Sequence, residues 1–183
     1  MPAGRTHDRI TLSCLPFLAT ATWLGSRNLA LTGILSTSFL FSGLMFGPDL
    51  DIHSCQYRRW GWLRWIWLPY QKTLRHRSFL SHGPILGTAL RLLYLGSWLA
   101  LPIGLLLLLQ HYLLQHYFGF WNWNWQTGAA LLQASLQTYP YEWLAGLAGL
   151  ELGAMSHSLS DWSVSSWKGW QRRWFSAKGR TKS

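Results

Sequence analysis

The stretch that decides the reading opens with Gly47-Pro48-Asp49-Leu50-Asp51-Ile52-His53. It closes with His76-Arg77-Ser78-Phe79-Leu80-Ser81-His82-Gly83. The chain holds only six carboxylates and seven histidines; two of the carboxylates and three of the histidines fall between residues 47 and 82. Six Lys or Arg and a run of tryptophans lie there too, and long apolar segments border the stretch on both sides. This pattern predicts a polar, metal-holding insert between two membrane-embedded helices.

Working outward, 183 residues fit one domain or one compact bundle. Only 12% of residues are charged and 49% are hydrophobic, against roughly 25% charged in an ordinary soluble domain. The net charge of +10 asks for an anionic partner. Its Lys and Arg sit at the ends of apolar runs, where lipid headgroups would lie. In the insert Trp60, Trp62, Trp65 and Trp67 alternate with Arg58, Arg59 and Arg64. Such a mixture can stack nucleic-acid bases, but beside hydrophobic runs it suits the headgroup layer. Membrane lipid is therefore the expected partner, and nucleic acid is not. Cys14 and Cys55 read as two reduced thiols. The N-terminus lacks the pattern of a cleaved signal peptide.

Four stretches read as helices in the membrane: residues 10–26, 29–46, 92–109 and 127–159, the last interrupted near Tyr139-Pro140. Gly33 and Gly43, with neighbouring Ser and Thr, supply small residues for close helix packing. Gly47-Pro48 ends the second helix, and Pro84 is placed early in the third. The expected fold is all-α: a multi-pass helical membrane bundle of about four spans with the polar insert. Residues 1–166 form the embedded metal-binding domain, and 167–183 a basic C-terminal tail whose end is expected to be disordered. With four spans, 14 of the 16 Lys and Arg share one side. The positive-inside rule then puts the insert and both termini in the cytoplasm.

On that topology the histidines and carboxylates at the cytoplasmic helix ends are His7, Asp8, Asp49, Asp51, His53, His76, His82, His157 and Asp161, whereas His111 and His116 lie opposite. His157 and Asp161, four apart on a helix, project from one face. Asp49 and Asp51, two apart in an extended segment, would point the same way. The expected metal ligands are His7, Asp49, Asp51, His76, His82, His157 and Asp161, with His53 as a supporting or solvent-exposed group. Imidazole with carboxylate suits zinc, or manganese or iron. The set could hold one divalent ion or two about 3.5–4 Å apart. Asp49 and Asp161 are candidates to position a water, and Arg77 to hold an anion such as phosphate. Each piece has a plain structural alternative: a polar helix cap for His157 and Asp161, a turn with an N-cap for Asp49 and Asp51, headgroup contacts for His76 and His82. Glu142 and Glu151 read as bundle-facing packing or hydrogen-bonding groups.

These residues resemble a known group. His7, Gly-Pro-Asp-Leu-Asp (47–51), His-Arg-Ser-x-x-Ser-His (76–82) and Gly-x-x-x-His-Ser-x-x-Asp (153–161) follow the order and approximate spacing of a prokaryotic family of uncharacterised metal-binding membrane proteins. That family is related to the membrane-bound metal-dependent hydrolases. The resemblance covers about residues 4–165. It implies a helical membrane protein with a metal centre, and a distant relation to zinc-dependent phospholipase C and P1-type nucleases. Ser78 and Ser81 stand where the hydrolases more often have Gly and Thr, a change that removes no ligand.

The expected function is that of a membrane-associated metal-binding protein that hydrolyses a phosphoester or another small or lipid-like substrate. The alternatives are a non-catalytic metal-binding or metal-sensing membrane protein, and a basic membrane-anchored protein that binds lipid or nucleic acid.

Overall fold

A computed structural model describes residues 4–76, 78–117 and 125–180. Among the described residues every regular element is helical. Helix α1 (Gly4–Ser26) runs through Pro16. Arg27, in the left-handed region at φ 51°, turns the chain, and Asn28 caps α2 (Leu29–Leu44) by accepting from the amides of Ala30 and Leu31. Thr11 of α1 meets Gly43 near the end of α2, so the two helices are antiparallel.

Helix α8 (Pro140–Arg180) packs on α2 along a stripe of glycines. Gly146 faces Ile34 and Ser38, Gly149 faces Leu35 and Phe39, and Gly153 faces Phe39, Ser42 and Gly43. Residue numbers rise together on both sides, so α2 and α8 are parallel. A Cβ on Gly149 or Gly153 would lie 2.4 Å from a backbone carbonyl of α2. The missing side chains therefore set the closeness of the two helices. The start of α1, the end of α2 and residues 157–161 of α8 consequently meet at one end of the bundle.

The insert folds into short pieces: a 3-10 turn (Pro48–Asp51), α3 (Cys55–Arg59), a second 3-10 segment (Gly61–Trp67), α4 (Leu68–Thr73) and α5 (Phe79–His82). Its own core is Phe46, Leu50, Tyr57, Trp67 and Tyr70. Gln56 donates to the Gly43 carbonyl at 2.9 Å, Gln71 to those of Leu50 and Ile52, and the Trp60 indole to that of Met45. Each occupies a carbonyl whose burial without a partner would cost about 1–3 kcal/mol. Trp67 is fully buried against Phe46, Tyr70 and Tyr94. It thus leaves the expected headgroup set, whereas Trp62 and Trp65 are exposed. Alternation with arginine predicted one environment for all four. A 3-10 segment, at three residues per turn, separates them.

Helix α6 begins at Leu86, not at Pro84, because Ile85 sits at φ 63°; it extends to Tyr117. Helix α7 covers Trp125–Thr138. Among the described residues, two helices are long and apolar enough to cross a membrane, at Leu29–Asp51 and Leu86–Gln110. The count of about four spans thus reduces to two that meet this test. The chain is helical in the other two regions as well, but α1 carries repeated Thr and Ser, and Glu142 and Glu151 interrupt the apolar part of α8. Helix α8 holds to Arg180, so the basic tail continues the helix instead of leaving it. At 41 residues and about 1.5 Å per residue it is about 60 Å long.

Candidate metal centre

The site lies where the three long helices meet the insert. His7 enters from the first turns of α1 and is buried. Pro48 starts the 3-10 turn that carries Asp49, and Ser54 fixes that turn by donating to the Asp49 carbonyl at 2.7 Å. His76 lies in the link between α4 and α5. Ser78 caps α5 and so places His82 at its end. His157 and Asp161 sit one turn apart on α8, both buried.

Two groups of donors result. Ligand atoms of His7, His157 and Asp161 lie within 4.8 Å of one another, as do those of Asp49, His76 and His82. Asp49 connects them. Its Oδ2 is 3.0 Å from Nε2 of His157, and its Oδ1 is 3.6 Å from Nε2 of His82. The rings of His7 and His157 stack with centroids 3.8 Å apart.

The backing of the histidines sets their protonation. Ser160 gives its hydroxyl proton to the His157 carbonyl at 2.7 Å, so toward His7 Nδ1, also at 2.7 Å, it accepts. Ser81 sits 2.9 Å from His82 Nδ1 and 3.2 Å from the Ser78 carbonyl, and so orients that ring. The Asp51 carboxylate accepts from His76 Nδ1 at 2.9 Å. In His7 and His76 the proton belongs on Nδ1, and Nε2 presents a lone pair. That lone pair faces Asp161 Oδ1 at 3.3 Å in His7. Two acceptors facing each other repel unless a cation lies between them. Burial, and then the neighbouring His157, lowers the His7 pKa. Burial pushes the Asp49 carboxyl up, but the imidazoles of His157 and His82 outweigh it and hold it well below the usual carboxylate range. Nε2 of His76, Nε2 of His82, Oδ1 of Asp49 and both nitrogens of His157 are buried without a hydrogen bond. So many buried polar atoms left without partners fit a site shaped for a cation.

Substitution Ser160→Ala removes the acceptor behind His7 without touching a ligand atom. Metal affinity is expected to fall about 10–100-fold, as read by competition with a chromogenic chelator, while helix content stays constant.

Six of the seven expected ligands fall in the two donor groups. Asp51 stands behind His76 instead, with its Oδ2 at 3.8 Å from His82 Nδ1. The extended geometry that would have pointed Asp49 and Asp51 the same way is replaced by a 3-10 turn, in which residues two apart diverge. His53 is exposed and stacks edge-on against Tyr57. Asp8 pairs with Arg59 at 2.5 Å. Glu151 accepts from the Ile85 amide. Arg77 lies outside the described residues. Sequence reasoning missed Ser81, Ser160 and Arg91. Fully buried Arg91 donates to the Ser81 carbonyl at 2.9 Å and to Thr88. The signal available for the serines was position: Ser81 adjoins His82, and Ser160 lies one helical turn after His157.

Residues 2–171 match a family described as uncharacterized metal-binding protein (DUF2227). The chain belongs to this family. A protein of Aquifex aeolicus (strain VF5), described only as an uncharacterized protein, is 40% identical over 58 residues, 31% of this chain. The match covers 40% of that protein. No solved structure matches the chain. Membership and geometry agree on one property: this is a metal-binding family, and the chain brings His and Asp donors together in two groups.

Proposed function

We propose that the protein is a membrane-embedded metal-dependent hydrolase of phosphoester or lipid-like substrates, with its site and both termini on the cytoplasmic face. The observation that carries the metal part is the pair of facing acceptors, His7 with Asp161, with the imidazole held in the Nδ1-protonated form. Imidazole donors with shared carboxylates favour zinc, with manganese and iron as competitors. His7, His157 and Asp161 would hold one ion, and His76 and His82 a second, with Asp49 offering one oxygen to each. Membrane embedding is supported by α6, in which an 18-residue apolar window within Leu86–Gln110 has no buried residue. That much uncovered apolar surface is unfavourable in water.

When bound, divalent ions here supply Lewis acidity and lower the pKa of an attacking water toward neutrality. The chain's own groups do the rest. Asp49 and Asp161 border a cavity of about 320 Å³, where either carboxylate can help to orient a water. Asp51, Ser81 and Ser160 keep the imidazoles aimed.

The test is turnover of a phosphodiester panel by detergent-purified, metal-replete protein. Turnover that falls at least 100-fold in His82→Ala and His157→Ala is the expected result. Stoichiometric metal with no turnover of any member would favour a non-catalytic metal-binding or metal-sensing protein.

A further inference from the structure

The metal centre forms a wall between two cavities of opposite character. The polar one, about 320 Å³, is bordered by His7, Asp49 and Asp161 together with Ser54 and Arg58. Arg58 forms no ion pair among the described residues, whereas its neighbour Arg59 is committed to Asp8. The second, about 440 Å³, is bordered by His82 and Asp161 together with Met155, Leu159 and Trp162. Asp161 belongs to both. The apolar cavity lies where α5 meets α8, since Ser158 donates to the His82 carbonyl at 3.5 Å. Leu159 and Trp162, with Phe79 and Leu80 on α5, are exposed apolar groups.

We propose that the substrate is a single amphiphile bound across this wall: an anionic phosphate-type head toward Arg58 and an alkyl chain against Met155, Leu159 and Trp162. The inference rests on the metal-hydrolase reading and names which end of the substrate each cavity takes. The chemistry favours it on both sides. An unpaired guanidinium beside a cation site draws an oxyanion, and the opposite lining offers a chain only dispersion contacts and shelter from water. A membrane phospholipid and a soluble alkyl phosphate share this chemistry.

The experiment measures binding of methylphosphonate and hexylphosphonate to the full-length, metal-loaded protein in phosphatidylcholine nanodiscs, with metal content determined on each sample. Hexylphosphonate is expected to bind at least about tenfold more tightly, since five extra methylenes can leave water. Leu159→Ser should remove most of that preference and leave methylphosphonate binding unchanged. Arg58→Gln should weaken both ligands about equally, with metal content intact in both variants. Weaker hexylphosphonate binding in nanodiscs that contain phosphatidylglycerol assigns the site to a membrane lipid; equal binding assigns it to a soluble amphiphile. Equal affinity for the two phosphonates in metal-replete protein, or a chain preference that survives Leu159→Ser, overturns the inference and leaves the metal reading standing. Absence of metal overturns both.

Discussion

Asp49→Ala is expected to empty the centre of metal, whereas His76→Ala should reduce it only in part. The difference follows from how the two donor groups meet. His76 belongs to one group alone, with Asp49 and His82. Asp49 offers Oδ1 toward His82 at 3.6 Å and Oδ2 toward His157 at 3.0 Å. Removing it takes a donor from each group, together with the negative charge nearest to both. Affinity at each position should fall by more than the 10–100-fold typical of a supporting residue. His76→Ala removes one imidazole and releases Asp51, leaving His7, His157 and Asp161 as they were. Metal-to-protein ratios by inductively coupled plasma mass spectrometry distinguish the two outcomes. Equal loss in both variants would mean that Asp49 does not join the groups.

The second large effect concerns the scaffold. Gly153→Leu should unfold the bundle or force α8 off α2. A Cβ at Gly153 would lie 2.4 Å from the Phe39 carbonyl oxygen and 2.9 Å from the Gly43 amide nitrogen. Both are backbone atoms inside a regular helix and cannot rotate away. Overpacking of this kind costs about 1–3 kcal/mol, and more where the backbone itself must move. Any separation of the helices also pulls His157 and Asp161 away from His7 and Asp49, so metal and fold should be lost together. Gly33→Ala is the control. Nothing lies within 4 Å of a Cβ there, and the gain in helix propensity should leave stability unchanged or raise it by up to about 1 kcal/mol. Thermal unfolding in detergent, followed by circular dichroism, reads both variants.

How much of this was legible in the sequence depends on the range of the signal. Helix positions came from long apolar runs and from Gly47-Pro48, which are local features; α1 and α2 stand close to where those features put them, whereas α6 and α8 run well beyond their apolar runs. The meeting of His7, Asp49, His82 and His157 at one end of the bundle was legible only in part: the first three lie at or beside helix ends, whereas His157 lies inside α8. What failed was local geometry within the insert. Nothing in Pro-Asp-Leu-Asp distinguishes an extended segment from a 3-10 turn, and the turn sets Asp51 against His76 instead of pointing it the same way as Asp49. Trp67 was grouped with its exposed neighbours because burial there depends on Phe46, Tyr70 and Tyr94, which are distant in sequence or on other elements. Arg91 looked like a lone charge in a span. Its role at the Ser81 carbonyl appears only once α5 folds back on α6.

The most direct test of the central claim is the metal content of the wild-type chain, purified in detergent without added chelator and with no affinity tag that binds metal. Two divalent ions per chain, both lost in Asp49→Ala, is the predicted result. A wild-type protein that folds, keeps its helix content and holds less than about a tenth of an ion per chain, even after incubation with zinc, manganese or iron, would contradict it.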